Sequence, residues 1–346
     1  MNRKFKFVII VFLLIVASVL GYFSLKINQQ EPISPAQKTT YHLLSPPDLE
    51  LISIFTKPGL KEIEPVFNDL PEKLLVYRIE PALINIDQAE KIATTFDFTE
   101  EQLDQEENQE YRWISQQKAL IVSPREARIK YVVDLLNFPG LLQAGKLPSP
   151  SQDQERIVSF LTENIVTPLP STELKLRNWH YLRIRGPQFE ETTPEKAQLI
   201  KFNFDLILNG YPIITNSPQE GLVSVIVGPE FKIYQLHYQI PFAETSQNDD
   251  YPLKDKTEIT NEILNRPQTT TLIREDHQIA NISNYNQIEA INITDAKVGY
   301  FIPLEGKIQY LQPVFYFEAK GVLPETRFTT FFLIPAIKNK YLSPGL

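Results

Sequence analysis

Lys201-Phe-Asn-Phe-Asp-Leu-Ile-Leu-Asn-Gly-Tyr-Pro-Ile-Ile214 is the stretch from which the fold is read. Phe202, Phe204, Leu206 and Leu208 occupy every second position, the spacing of one face of a β-strand. Asn209-Gly210 follows at once. A two-residue type I′ turn needs positive φ at both central positions, which Asn and Gly tolerate best. The spacing therefore predicts a tight hairpin joining Lys201–Leu208 to Tyr211–Ile214.

Outward from this hairpin the chain reads mainly as strands. Leu222–Val227 and Phe231–Ile240 follow, turned by Gly228-Pro229. His180–Arg185 precedes it. Further upstream, Leu49–Phe55, Lys73–Ile79, Glu110–Ser115, Ala119–Ser123 and Arg128–Leu135 have strand character. Ile129, Tyr131, Val133 and Leu135 point to one face in the last of these. Downstream come Ile288–Tyr300, Lys307–Glu318 and Arg327–Ile334, with a turn at Glu305-Gly306. Three helix starts interrupt the strands as capping boxes. Asp87-Gln-Ala-Glu90 leads into Ala89, Ile92, Ala93 and Phe96. Ser151-Gln-Asp-Gln154 leads into Ile157, Val158, Leu161 and Ile165. Asp255-Lys-Thr-Glu258 leads into Ile259 and Ile263. The pattern is one short helix followed by an antiparallel meander, three times over, which predicts an α+β class with helices on one face of antiparallel sheets. Leu136–Pro150, with Pro139-Gly140, Gly145 and Pro148-Ser-Pro150, reads as the domain boundary.

Phe7–Leu25 carries no charge and, at the helical rise, spans about 28 Å, the thickness of a bilayer core. Arg3, Lys4 and Lys6 precede it, which predicts a cytoplasmic N-terminus and one transmembrane anchor. The alternatives are a cleaved signal, for which bulky Leu20, Tyr22, Phe23 and Leu25 are poor cleavage residues, and a core helix, which would need a polar face. The expected layout is a cytoplasmic stub and anchor over 1–27, a tether over 28–45, an N-terminal α+β domain over 46–140 and a C-terminal α+β domain over 150–346.

Of the 346 residues, 42% are hydrophobic and 11% aromatic, enough to build real cores. The net charge of −8 argues against nucleic acid as a partner. With no cysteine, disulfides, thiol catalysis and thiolate metal sites are excluded.

Motifs for chemistry are sparse. None of His42, His180, His237 and His277 belongs to a short metal-binding spacing, and no nucleophile elbow, phosphate loop or dinucleotide fingerprint is present. Trp179-His-Tyr-Leu-Arg-Ile-Arg185 is the most unusual run. On a strand, Tyr181, Arg183 and Arg185 share one face, a candidate docking site for an anion or carboxylate; the plainer reading is a solvated strand face with a half-buried His180 behind it. Asp249-Asp250, Glu100-Glu101 and Asp104–Glu110 are acidic but lack the ligand alternation of a calcium loop, so solvated loops are expected. Tyr310, Phe315, Tyr316 and Phe317 fit sheet packing better than a ligand groove.

Phe202–Ile213, Val223-Ser-Val-Ile-Val-Gly228 and Lys232-Ile-Tyr234 resemble the strand–turn–strand units of PepSY-like modules. Val298-Gly-Tyr300 followed by Tyr310-Leu-Gln-Pro-Val-Phe-Tyr-Phe317 resembles the closing unit of YycH/YycI-type regulators. The likeness covers about residues 195–335. It implies PepSY-like repeats in a single-pass extracytoplasmic protein that acts on a membrane sensor kinase, and it carries over no catalytic residues.

The sequence thus leads to a membrane-anchored, extracytoplasmic, non-enzymatic binding or regulatory protein at the cell membrane, with an envelope or membrane protein as partner. No catalytic residue, cofactor, metal or nucleic acid is expected. Two rival readings have their own marks. A cell-wall or peptide-ligand binding module would show one deep aromatic pocket. An envelope hydrolase with dispersed catalytic residues would hold a Ser or Asp near His180 or His237 in a cleft.

Overall fold

Asn209 and Gly210 stand at φ 49° and 84°, the left-handed pair that a type I′ turn requires. They join Leu199–Leu208 to Tyr211–Ile214, with the turn where the alternation predicts it and the first strand beginning two residues before Lys201. A Cβ on Gly210 would meet no atom, so the constraint there is backbone conformation alone. Gly210→Val is expected to lower stability by about 1 kcal/mol or more. An unchanged melting temperature would show that the turn tolerates a β-branched residue.

The computed structural model describes residues 41, 43–47, 49, 70–81, 83–99, 103–105, 110–142, 145–147, 149–165, 172–186, 188–215, 221–240, 242–265, 273–274, 290–303, 310–323 and 326–343. In chain order these form β1 (Lys73–Pro81), α1 (Ile86–Thr95), β2 (Leu103–Gln105), β3 (Tyr111–Ile114), β4 (Lys118–Ser123), β5 (Arg128–Val133) and α2 (Pro150–Asn164). Next come β6 (Thr172–Arg185), β7 (Gln188–Glu191), β8 (Leu199–Leu208), β9 (Tyr211–Ile214), β10 (Val223–Val227), β11 (Ile233–Gln239), β12 (Phe242–Pro252) and α3 (Lys256–Asn265). β13 (Ile273–Arg274), β14 (Ala290–Phe301), β15 (Tyr310–Leu323) and β16 (Thr326–Pro335) complete the chain. Leu43–Leu346 forms one compact unit.

The expected fold class is corrected by the strand pairing. The described strands join in one large mixed sheet, in the order β12-β1-β15-β14-β9-β8-β10-β11-β5-β4-β3-β2, with β6 and β7 beside β8 and β16 and β13 beside β15. Separate antiparallel meanders carrying helices do not describe it. The physical reason lies at the meander edges, whose unpaired backbone groups pair with strands distant in sequence. β11 pairs β5 through Leu236↔Tyr131, across the Leu136–Pro150 segment. β1 pairs β12 along its length and β15 at Tyr77↔Leu311 and Arg78↔Tyr310. β9 pairs β14 in parallel at Tyr300↔Ile213 and Phe301↔Ile214.

The membrane placement is corrected as well. Phe7–Leu25, on which it rests, lies outside the described residues, and among those described no helix is long and apolar enough to cross a membrane. The longest, α2, has 15 residues, a rise of about 22 Å, and carries Asp153, Glu155, Arg156 and Glu163. The single-pass reading, its transmembrane helix and signal-anchor, and the cell-membrane localisation are accordingly dropped. The tether over 28–40, the end of the Leu49–Phe55 strand, the Glu305-Gly306 turn, His42 and His277 also lie outside the described residues.

The core explains why β8 is central. Besides Phe202, Phe204, Leu206 and Leu208, its opposite face buries Asn203 and Ile207, so the strand is covered on both sides. The polar residues there are satisfied: Asn203 Nδ2 donates to Asn178 Oδ1 at 2.7 Å, and Arg177 Nε donates to Asp205 at 2.7 Å. α1 places Ala89, Ile92, Ala93 and Phe96 in the same cluster as Trp113, Leu120 and Tyr131, and α2 adds Ile157 and Leu161. Phe96 stacks on Tyr131 at 4.1 Å. The caps differ from expectation at two helices. α1 begins two residues early, where Asn85 and Gln88 form the reciprocal box. α2 begins at Ser149-Pro150, with Pro at the first helical position and no side-chain cap. α3 has the expected box: Glu258 N donates to Asp255 Oδ1 and Asp255 N to Glu258 Oε2, both at 3.0 Å.

A tyrosine cluster closes the seam where β1, β9 and β14 meet. Tyr77 and Tyr300 pack edge to face at 5.2 Å, and Tyr211 meets Tyr300 at 6.3 Å. Tyr300 donates to Leu75 O at 3.0 Å, and Asn209 Nδ2 donates to the Tyr77 hydroxyl. The hairpin turn is thereby tied to β1, 132 residues away in sequence.

Candidate functional site

The run Trp179–Arg185 lies at the end of β6, where the chain folds back through Gly186 (φ 56°) into β7. The hairpin register sets Arg183 opposite Glu190 and Leu182 opposite Glu191. Glu190 receives both arginines: Arg183 Nε donates to its Oε2 at 2.9 Å and Arg185 Nη1 to its Oε1 at 3.1 Å. The hydrogen bond from Arg183, with that from Arg185, holds the Glu190 carboxyl below its ordinary range. The structure thus brings Arg183 and Arg185 together on one carboxylate, leaving one positive charge in excess among the three. Tyr181 is half-buried and packs on the main core. Trp179 precedes it on the same face and is 46% exposed, the sole tryptophan at the surface of a chain that has two, since Trp113 is buried.

Glu190 and the exposure of Trp179 were not drawn from the sequence. The signal for the first is Gly186: a turn at that glycine puts Glu190 opposite Arg183. The second depends on whether another element covers β6.

His180 and His237 do not share a site. His180 Nδ1 lies 3.0 Å from a Glu191 oxygen on the half-exposed hairpin. His237 stands on β11, three strand spacings from β6 in the order β6-β8-β10-β11, about 14 Å. Of the acidic runs, Asp249 and Asp250 lie exposed on β12, a strand where a loop was expected. Glu110 is bound by Arg112 at 2.8 Å, Arg128 at 3.3 Å and Ser123 at 2.7 Å, and these bonds hold its carboxyl below the ordinary range. Glu100 and Glu101 lie outside the described residues. Among the described residues no group of three or more His, Asp or Glu side chains could hold a metal ion. Phe315 and Phe317 are buried in the sheet, and Tyr316 stacks on Phe331 at 5.4 Å.

A recess of about 560 Å³ lies at the start of α3. Two of its four lysines, Lys254 and Lys338, are committed to ion pairs. Lys254, 1% exposed, is 2.6 Å from Glu262 and donates to Pro335 O at 2.7 Å. Burial pulls its ammonium pKa down, and the bond to Glu262 opposes that. Lys338 bridges Glu258 at 2.9 Å and Asp255 at 3.7 Å. These pairs fasten α3 to the sheet.

Asp153 has no such partner among the described residues. In the first turn of α2 it is fully buried, and neither carboxylate oxygen accepts a hydrogen bond from a described residue. The nearest cation, Arg156 Nη1, is 3.8 Å away, and its guanidinium lies over the Phe231 ring at 4.1 Å. Phe231 and its neighbour Glu230 both have left-handed backbones, φ 65° and 59°. Desolvation pushes the Asp153 carboxyl up to about 6, against the pull of Arg156.

Fold and site define a large mixed-sheet protein with an open strand hairpin bearing two arginines and an exposed tryptophan. No protein-family model matches the chain, and no curated protein is significantly similar to it.

Proposed function

We propose that this chain is a non-enzymatic binding or regulatory protein that acts by surface contact with a partner protein, and that the β6–β7 hairpin is the docking face. The observation that carries the reading is the grouping of Trp179, Tyr181, Arg183 and Arg185 on one strand face. A half-exposed tryptophan beside arginines is the composition of an interface hot spot. Two guanidinium groups sharing one carboxylate leave capacity for an acidic group from outside. The YycH/YycI-type resemblance of residues 195–335 supports the same class, since those proteins regulate a signalling partner and bring no catalytic residue set.

The test is crosslinking in the cells that make the protein, followed by affinity recovery of the full chain. The wild type is expected to carry a discrete protein adduct. Neutralising both charges, Arg183→Gln with Arg185→Gln, should reduce that adduct at least tenfold while the melting temperature moves by only a few degrees, because surface ion pairs contribute about 1 kcal/mol or less and no like-charge cluster is created. His180→Ala with His237→Ala should leave the adduct in place. An adduct that follows the histidines and ignores the arginines would overturn the reading.

A further inference from the structure

We infer that two copies of this chain associate edge to edge through β6, antiparallel about a two-fold axis at Leu174; this goes beyond the binding reading above and stands without it. β7 covers the outer side of β6 only over Leu182–Arg185. From Thr172 to His180, β8 holds the inner side, and among the described residues no strand pairs with the outer one. The backbone directions follow from β8. A Cβ on Gly221, two residues before Val223, would lie 2.6 Å from Phe204 O and 3.4 Å from Phe204 N, so Phe204 presents its backbone groups to the β10 side. Its neighbours Asn203 and Asp205 therefore present theirs to β6, where the register sets them opposite Asn178 and Lys175. Leu174 and Leu176 then turn their N–H and C=O groups to the open side, while their side chains pack on the main core.

The open stretch is complementary in charge to itself. Glu173 and Lys175 are exposed on the face opposite to those leucines, and neither forms an ion pair with a described residue. Asp205, opposite Lys175 on β8, is taken by Arg177, the extra residue of a bulge. With Leu174 opposite Leu174, Glu173 of each copy meets Lys175 of the other. Those pairs exchange no backbone hydrogen bonds, so they are the closer of the two kinds of cross-strand pair. Moving the axis by one residue, to Glu173 or to Lys175, sets like charges directly opposite. The charges therefore select the register by repulsion as well as by attraction. The two-fold also closes the pair, since each copy spends the same edge. Other sheet edges fit self-pairing less well. β2 and β13 have three and two residues, too short to template a strand. β12 has eleven residues, but it carries Glu244, Asp249 and Asp250 with no basic residue, so two copies of it repel.

Sedimentation equilibrium of the full chain over a dilution series tests this. The wild-type mass should fall on dilution from that of two copies towards that of one. Glu173→Lys and Lys175→Glu should each weaken association at least tenfold, because the two-fold counts each change twice. An equimolar mixture of the two variants should recover it, since every pair between unlike copies is then of opposite charge. Residue-resolved amide exchange should show Leu174 protected at high concentration and released on dilution, with Lys175, which faces β8, protected throughout. A mass of one chain at every concentration would overturn the inference, as would a Leu174 amide indifferent to concentration. So would association that ignores both single reversals, a mixture that associates no better than its components, or masses that run beyond two copies, the result expected if β6 paired with β12 of the next copy.

Discussion

Asp153→Asn is expected to stabilise the protein by about 2 kcal/mol at pH 8 and by almost nothing at pH 4. The carboxyl is fully buried without a hydrogen bond from any described residue, and desolvation raises its pKa from 3.8 to about 6. Below pH 3.8 it is protonated in both folded and unfolded chains, and its titration leaves stability untouched. Between 3.8 and 6 the unfolded chain has lost the proton and the folded chain retains it, so stability falls as pH rises. Above 6 both forms are ionised, and the folded state carries the whole cost of a buried charge, about 3 kcal/mol for a shift of about two pH units. Asparagine removes that charge and leaves a less costly buried amide. Denaturant titrations of both proteins at pH 4, 6 and 8 measure the difference. A gap that is constant with pH, or a destabilised variant at pH 8, would show that Asp153 finds a partner in solution.

Gly299→Val is expected to cost about 3 kcal/mol or more. A Cβ on Gly299 would lie 2.4 Å from Pro212 O and 2.6 Å from Ile214 Cδ1. The first of these is backbone, which cannot rotate away. Gly299 sits immediately before the parallel pair of β14 with β9, a junction of only two residue pairs, beside Tyr77, Tyr211 and Tyr300. Separating the strands there would break the sheet and its aromatic seam together. Thermal unfolding measures the loss; an unchanged midpoint would mean that the two strands are further apart than the structure places them.

The parts of this fold legible in the sequence are those set by local spacing. The β8–β9 hairpin follows from Phe202–Leu208 and Asn209-Gly210, and α3 from its reciprocal Asp255 and Glu258 caps. Pairings such as Leu236↔Tyr131 or Tyr300↔Ile213 leave no local trace, because they join residues with nothing in common but matching strand edges. Hence the helix-and-meander class does not describe the assembled sheet. The start of β6 was hidden by the bulge at Arg177, which breaks the alternation between Leu176 and Asn178. β12 was hidden by Asp249-Asp250, acidic residues that an exposed edge strand accommodates. Asp153 was half visible. It shares a helix stripe with Ile157 and Leu161, so its position is apolar although its side chain is not. At the hairpin, Arg183 and Arg185 were readable, while Glu190 required the turn to be counted and Trp179 required knowing that the described elements leave it half exposed.

The claim that function resides in the β6–β7 face is tested most directly by a photo-crosslinking amino acid placed in the full chain at Trp179 or, as a control, at the 69% exposed Leu83. In the native cell, illumination should give a discrete heterologous adduct from position 179 and none from position 83. Equal adducts from both positions, or an adduct from 83 alone, would contradict it.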